Sequence, residues 1–253
     1  MPRFRRAAPA MLSLVALIGV ALPPAFAQVV DFDVSVNFNT DTVVNMDPDP
    51  PTPFDEDNDP VGNPATNFAF LTQSAALAAA CPTPAGLPDN GVFPPNADHP
   101  NVHLGYNNAF SFLNTRRSNG PETYSVVTPV NNYTNVHVFF ASGDGNTNVT
   151  VTLRYLSGQP QPTLITVPSW LAAPAPPAYA LFDSGDRIPP DAPFVCDDAN
   201  TVAIFGFNIA ADPARLLSSV DIARTDNTTA VLNFYGATGV LFVPVTLQGF
   251  SVE

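Results

Sequence analysis

The residues Asn148-Val-Thr-Val-Thr-Leu-Arg-Tyr-Leu156 follow a break rich in Gly and Asn, Ser142-Gly-Asp-Gly-Asn-Thr147. From Val149 to Tyr155 apolar and polar side chains alternate, and several of them are β-branched. This period-two alternation is typical of an antiparallel strand with one buried face. The break before it is typical of a hairpin turn. The stretch therefore predicts an all-β protein.

Similar patterns, separated by turn-forming residues, recur along the chain. Many short strands with turns between them predict an antiparallel β-sandwich or a barrel. The Ala-rich segment Thr72–Ala80 predicts the one short helix, which ends before Pro82. The Pro-rich segment Trp170–Pro193 predicts a long loop. The predicted strands are Asp31–Phe38, Ala109–Leu113, Tyr124–Val127, Val136–Ala141, Asn148–Leu156, Leu164–Val167, Thr201–Ile209, Leu216–Ala223, Ala230–Tyr235 and Val240–Phe250.

The first 27 residues have the pattern of a signal peptide. Arg5 and Arg6 belong to a basic start, Met11–Leu22 is apolar, and Ala25-Phe26-Ala27 matches a cleavage site. We expect residues 28–253 to form a single β-sandwich domain with an acidic, Pro- and Asp-rich loop at residues 46–64. Because no later apolar run has the length of a membrane helix, we expect a secreted or extracytoplasmic protein that does not insert into a membrane.

The net charge of the chain limits the classes of molecule that we expect it to bind. The chain has 9 basic and 22 acidic residues, a formal net charge of −13, and no Lys. Nucleic acids and anionic membranes attract clustered Lys and Arg, so neither is an expected partner. The acidic surface suits divalent cations or neutral ligands. The two cysteines, Cys81 and Cys196, predict a disulfide in an exported protein, with two buried free thiols as the alternative.

From about Tyr133 to Gly239 the motifs follow a known order. An apolar strand ends in small residues, then come a Gly-Asn turn, a Thr/Val strand ending in Tyr, and a strand leading to Trp170. A Phe-rich strand and a further strand after Arg215 complete the order. The segments are Val136–Ala141, Gly143–Asn146, Val149–Gly158, Ile165–Trp170, Ile204–Ala210 and Arg215–Ile222.

This order resembles the galactose-binding-like jelly-roll modules appended to secreted bacterial glycoside hydrolases. The resemblance covers under half of the chain, and Ser157 and Ser169 stand where those modules usually have Asp. It implies a jelly-roll β-sandwich and, by analogy alone, carbohydrate binding without catalysis.

Two groups of residues are candidates for ligand binding. Trp170, the only tryptophan, either stacks on a sugar ring or fills one end of the core. A second set offers the amides, carboxylate and guanidinium groups that sugar hydroxyls require, although Asn and Asp are also common turn residues. This set is Tyr106, Asn107, Asn108, Asp89, Asn90, Arg116 and Arg117.

Calcium is a candidate ligand of two acidic stretches. Asp55, Asp57 and Asp59 alternate as carboxylates do in calcium loops, and Asp144 and Asn146 begin a similar pattern. Neither stretch completes an EF-hand loop, so a Ca²⁺ site would draw oxygens from distant loops, and the alternative is solvated acidic turns.

The three histidines, His99, His103 and His137, are predicted to be surface residues rather than metal ligands. Pro100 argues against a helix that would place His99 and His103 on one face.

The sequence thus favours a non-catalytic module that binds a glycan or a cell-surface polymer. A structural or adhesive component of the cell envelope is one alternative. A hydrolase with distant acidic residues is another, because carboxylate pairs need no local motif.

Overall fold

The computed structural model of the protein describes residues 28–44, 69–78, 81–107, 113–188 and 196–244. Antiparallel strands dominate these residues, and the predicted all-β sandwich with one short helix is confirmed. The predicted signal peptide and the predicted acidic loop lie outside the described residues. The helix is α1 (Gln73–Ala78), and the strands are β1 (Val29–Asp31), β2 (Val43–Val44), β3 (Ala69–Leu71), β4 (Val92–Phe93), β5 (Val102–His103), β6 (Arg116–Ser118), β7 (Glu122–Gly143), β8 (Thr147–Tyr155), β9 (Gln161–Val167), β10 (Ala178–Ile188), β11 (Asp197–Ala210), β12 (Leu216–Arg224) and β13 (Val231–Leu241).

Strand β7 joins the two sheets of the sandwich. Its first half pairs with β12, which continues through β8 to β9, and we call this the first sheet. Its second half pairs with β11 on one side and β13 on the other, in the second sheet. The inner core between the sheets includes Val126, Val151, Phe140 and Phe207. The alternation in β8 has this cause, because every second side chain enters the inner core.

A third layer covers the outer face of the second sheet. Val138 and Phe140 of β7 point into the inner core, whereas Phe139 and Ala141 point the other way and are also fully buried. Residues 81–107, which we call the cover, lie over that face with the small β4–β5 hairpin. The outer core between them contains Phe70, Leu87, Phe93, Val102, Leu104, Tyr106, Phe139, Trp170, Ile204 and Tyr235.

Several predicted boundaries are wrong. The predicted loop Trp170–Pro193 contains β10, which pairs with β11 through a register broken by three irregularities. The predicted strands Tyr124–Val127 and Val136–Ala141 are parts of one 22-residue strand. Ala230–Tyr235 and the start of Val240–Phe250 are likewise one strand, β13, with a register shift between Phe234 and Gly236.

The predicted first strand, Asp31–Phe38, is interrupted for a local reason. Strand β1 ends at Asp31, and residues Ser35–Asn37 form a 3₁₀ turn. The Asp33 carboxylate accepts hydrogen bonds from the backbone amide and the hydroxyl of Ser35. Short polar side chains of this kind offer the backbone an alternative to the strand ladder.

The disulfide between Cys81 and Cys196 is confirmed, with the two Cα atoms 5.3 Å apart. It joins the start of the cover to the residue before β11, beside a small apolar cluster on α1 and β3. Among the described residues, no helix is long and apolar enough to cross a membrane.

Candidate functional site

The two aromatic residues proposed for sugar stacking are both buried. Trp170 has no exposed surface and contacts Phe70 edge-on in the outer core. Its stacking on a ligand is therefore wrong, and the alternative of a core side chain is correct. Tyr106 is 1% exposed, and its hydroxyl donates a hydrogen bond to the carbonyl of Pro88. The Tyr106 ring likewise has no face open to a ligand.

The polar members of that set stabilise turns and strands. Asp89 accepts hydrogen bonds from the amide and hydroxyl of Ser74 at the start of α1, and Asn90 accepts one from the Val92 amide. Of the Asn107 side chain nothing is described, and Asn108 lies outside the described residues.

The two arginines of the set lie on a different element. Arg116 and Arg117 belong to β6, which pairs with β13, and Arg116 makes an ion pair with Glu122. The structure therefore does not gather the predicted set into one site.

The predicted calcium ligands Asp144 and Asn146 shape the hairpin between β7 and β8. Asp144 has a φ of 53°, and Asn146 accepts a hydrogen bond from the Ser169 amide. Asp55, Asp57 and Asp59 lie outside the described residues. Within the described part of the chain, the one cluster with metal-ligand spacing is Cys81, Asp186 and Cys196. Its two sulfurs are committed to the disulfide, so it offers no thiolate to an ion.

An open cleft of ≈ 490 Å³ lies between β1 and the residues that follow β5. Its polar groups are two exposed carboxylates, Asp31 and Asp33, with Ser35 and the exposed His103. No arginine from the described part of the chain lines it. The lining is completed by Phe32, Val34, Phe38 and Gly105.

Each carboxylate in the cleft has one oxygen engaged within the protein. Oδ1 of Asp31 accepts a hydrogen bond from the Thr238 hydroxyl at 2.9 Å. Oδ1 of Asp33 accepts two from Ser35, at 2.7 and 3.1 Å, and these bonds hold the pKa of Asp33 below its ordinary value. Asp33 is therefore ionised at neutral pH, and its Oδ2 is left to accept a hydrogen bond from a ligand.

Two histidines predicted at the surface are buried. His99 is 5% exposed and His137 is 3% exposed, so the surface prediction is wrong for both. His137 does lie opposite the inner-core side chains of β7, as the alternation predicts, but the cover buries that face. His103, on β5, is exposed as predicted.

His99, Tyr179 and His137 form one contiguous cluster, which we call the latch. The Tyr179 hydroxyl is 2.8 Å from Nδ1 of His137, and the His99 ring stacks on the Tyr179 ring with centroids 5.8 Å apart. Burial, and then the neighbouring His99, lower the pKa of His137 to about 4. No pattern in the sequence predicts that residues 99, 137 and 179 lie together. Gly206, which pairs with Tyr179 and has no side chain, is a partial signal that a large side chain packs there.

Gly206 makes room for the latch. It pairs with Tyr179 across β10 and β11, and a Cβ at Gly206 would lie 2.2 Å from the Tyr179 ring. That distance is far below van der Waals contact, so the ring lies flat on the sheet only because residue 206 has no side chain.

A second buried polar cluster lies where the residues just before β2 meet the residues just before β6 and strand β13. Thr42 bonds the hydroxyls of Thr115 and Tyr235, and Asn114 donates to the Asp41 carboxylate at 2.5 Å. Burial raises the pKa of Asp41 to about 6.

Comparison with known proteins adds no identity: no protein-family profile matches this sequence, and no curated protein matches it. The site is therefore defined by its own geometry, as an acidic cleft beside a histidine latch on an all-β scaffold.

Proposed function

We propose that the protein is a secreted, non-catalytic β-sandwich that binds a glycan or a cell-surface polymer in the cleft between β1 and His103. The cleft itself is the observation that carries this proposal. Sugar hydroxyls donate hydrogen bonds, and Asp31 and Asp33 each offer an unengaged carboxylate oxygen as acceptor. A concave site with apolar walls and a few polar groups is the usual form of a ligand site.

The state of Asp33 argues against Asp33 as the proton donor of a glycosidase. A glycosidase needs one carboxylic acid that keeps its proton near neutral pH, and this requires a raised pKa. The hydrogen bonds from Ser35 lower the pKa of Asp33 instead. The disulfide supports the extracytoplasmic location, because such bonds persist in oxidising compartments.

A glycan array followed by calorimetry tests the proposal. We expect wild-type protein to bind at least one glycan class, with and without calcium. Asp33→Asn retains the acceptor for Ser35 but loses the charge, and His103→Ala removes the opposite wall. Asp33→Asn should weaken binding about 10-fold or more, because a bond to a charged group is worth roughly 1.5–3 kcal/mol. His103→Ala should also weaken binding, because the ligand loses contact with that wall. Asp183→Asn, exposed on β10, is the matched control and should bind as wild type.

Absence of any glycan signal, or equal affinity for all four proteins, would contradict the proposal. Thermal unfolding of each variant establishes that a loss of affinity is not a loss of fold.

One observation favours the structural or adhesive alternative. Val127, Leu156 and Leu164 of the first sheet and its loops are 73%, 61% and 68% exposed. Exposed apolar side chains of this size favour contacts between molecules. Under this alternative, sedimentation shows self-association that no sugar changes, and the Asp33→Asn variant associates as wild type does.

A further inference from the structure

Part of the cover also forms one wall of the cleft. The β4–β5 hairpin contributes Phe93 and Val102 to the outer core, and His103 and Gly105 to the cleft. The hairpin strands have only two residues each. Such short pairing contributes little by itself, so the position of this wall depends on how the cover is held to the second sheet.

The latch is one of the contacts that hold it. His99 comes from the cover, whereas Tyr179 and His137 belong to the second sheet. Nδ1 of His99 is 2.7 Å from the Pro100 carbonyl, which only accepts, so Nδ1 carries the proton. Nε2 of His99 then accepts a hydrogen bond from the Asn96 amide at 2.9 Å. These two bonds hold the ring in place over Tyr179.

We propose that the latch makes the cover acid-labile: protonation of His137 releases the β4–β5 hairpin from the second sheet and removes one wall of the cleft. The effect on the hairpin goes beyond the proposed function, whereas the effect on ligand rests on it.

The surroundings of His137 do not stabilise a cation. Among the described residues, no carboxylate bonds to the imidazole of His99 or of His137. The charged and titratable groups around His137 include Asp98 and His99 on the cover and Tyr179 on β10. Asp31 on β1 is a further one, because it accepts a hydrogen bond from Thr238, the residue of β13 that pairs with His137. Burial, and then the charge of Asp98, raise the pKa of Tyr179, and Asp31 is bonded to Thr238.

The direction of the effect follows from linkage. The folded pKa of His137, about 4, is below the ordinary value of 6.5, so protons bind the open form more tightly than the closed form. The closed form has its full stability above pH 6.5, and loses it as the pH falls toward 4. Over that window the ratio of closed to open molecules falls on the order of 10²-fold.

Amide hydrogen exchange measures this ratio on the purified protein. The Leu104 amide donates to the Gly91 carbonyl at 2.9 Å, so it exchanges only when the hairpin opens. We expect its protection, corrected for intrinsic exchange, to fall on the order of 10²-fold between pH 7 and pH 4. His137→Gln should lose most of this dependence, and Asp183→Asn, an exposed change on β10 outside both the latch and the cleft, should retain it.

Two outcomes would overturn the proposal that the latch makes the cover acid-labile. One is a His137→Gln protein whose Leu104 protection falls with pH as steeply as in wild type. The other is an imidazole NMR titration in which His137 of wild type titrates near pH 6.5 with no change in Leu104 protection. The second measurement uses only the wild type, so it is decisive even if the substitution loosens the cover.

Glycan binding at pH 7 and pH 4 separates the two proposals. We expect release at pH 4 by wild type and retention by His137→Gln. Failure to bind at pH 7 contradicts the proposed function and leaves the exchange result standing. Binding at pH 7 with equal release by both proteins contradicts the coupling alone.

Discussion

The charge of the Asp41 carboxylate is poorly stabilised, because the group is largely buried. Burial raises its pKa to about 6, although Asn114 and the Val43 amide both donate to its Oδ1. Because the folded pKa is above the unfolded value, the ionised form destabilises the fold, and this penalty grows from about pH 4 to pH 6. Asp41→Asn keeps the accepting oxygen and removes the charge. We expect urea unfolding at pH 7.5 to show a gain of about 1–2 kcal/mol, after allowance for partial exposure.

The gain should largely vanish at pH 4, where wild-type Asp41 is protonated. Asp33→Asn is the control of opposite sign, because hydrogen bonds lower the pKa of Asp33 and its charge stabilises the fold. Equal gains at pH 7.5 and pH 4 would contradict the explanation by burial.

Single residues show what the sequence could predict of the site. The alternation in β7 places His137 opposite Val136 and Val138, and the structure agrees. A sequence does not show what covers the other face, so a polar residue on that face was predicted to be exposed. The three members of the latch come from three distant segments: pairing of β7, β11 and β10 brings His137 and Tyr179 together, and packing of the cover adds His99. For Trp170 the structure selects the core alternative, in accordance with the usual burial of large aromatic side chains.

How well the sequence predicts a strand depends on how that strand is buried. Strand β8 is half-buried, and its alternation predicts it almost to the residue. Strand β10 has prolines before it and an irregular register with β11, so no alternation marks it in the sequence. Its strand form depends on pairing with β11 and, at its end, with β3, as β propensity in general depends on context. The length of β7 was missed for a related reason, since the strand changes sheets without a turn.

The disulfide stabilises the attachment of the cover. It closes a separation of 115 residues, and beside it Asp186 of β10 exchanges two hydrogen bonds with Ala85 of the cover. Replacing both cysteines, Cys81→Ala with Cys196→Ala, should lower the free energy of unfolding by roughly 2–5 kcal/mol, mainly because the unfolded chain gains freedom. Denaturant unfolding without reductant measures the change. Reduced wild type is the control and should match the variant; a loss below roughly 1 kcal/mol would contradict this account.

Three layers, rather than the two of a simple sandwich, follow from the burial of β7 on both faces. The run Val136–Ala141 is almost continuously apolar, which is typical of such a strand. The sequence therefore contains a signal for a second core, on the other face of β7. The segments that form the opposite side of this core are short and Pro-rich, and they lie in other parts of the chain. The sandwich was predictable from local alternation, whereas the cover required knowledge of long-range contacts.

The two cores should separate in unfolding once the disulfide is removed. The inner core lies between sheets joined by long strands, whereas the outer core is covered by two-residue strands, α1 and loops. Segments with few backbone hydrogen bonds open at lower free energy than the strands beneath them. Trp170, the only tryptophan, lies in the outer core and reports on it alone. In the variant without cysteines, we expect the Trp170 emission to shift at lower urea than the loss of the far-ultraviolet β signal.

In oxidised wild type the disulfide ties the cover to the residue before β11, so the two transitions should lie closer together or coincide. The comparison is sensitive because both proteins carry the same single tryptophan in the same surroundings, edge-on to Phe70. Coincident transitions in the variant would show that the outer core unfolds only with the whole molecule. The acid opening of the β4–β5 hairpin would then have to occur without exposing Trp170. In that case, only the residues of the cover around His99 would be released at low pH.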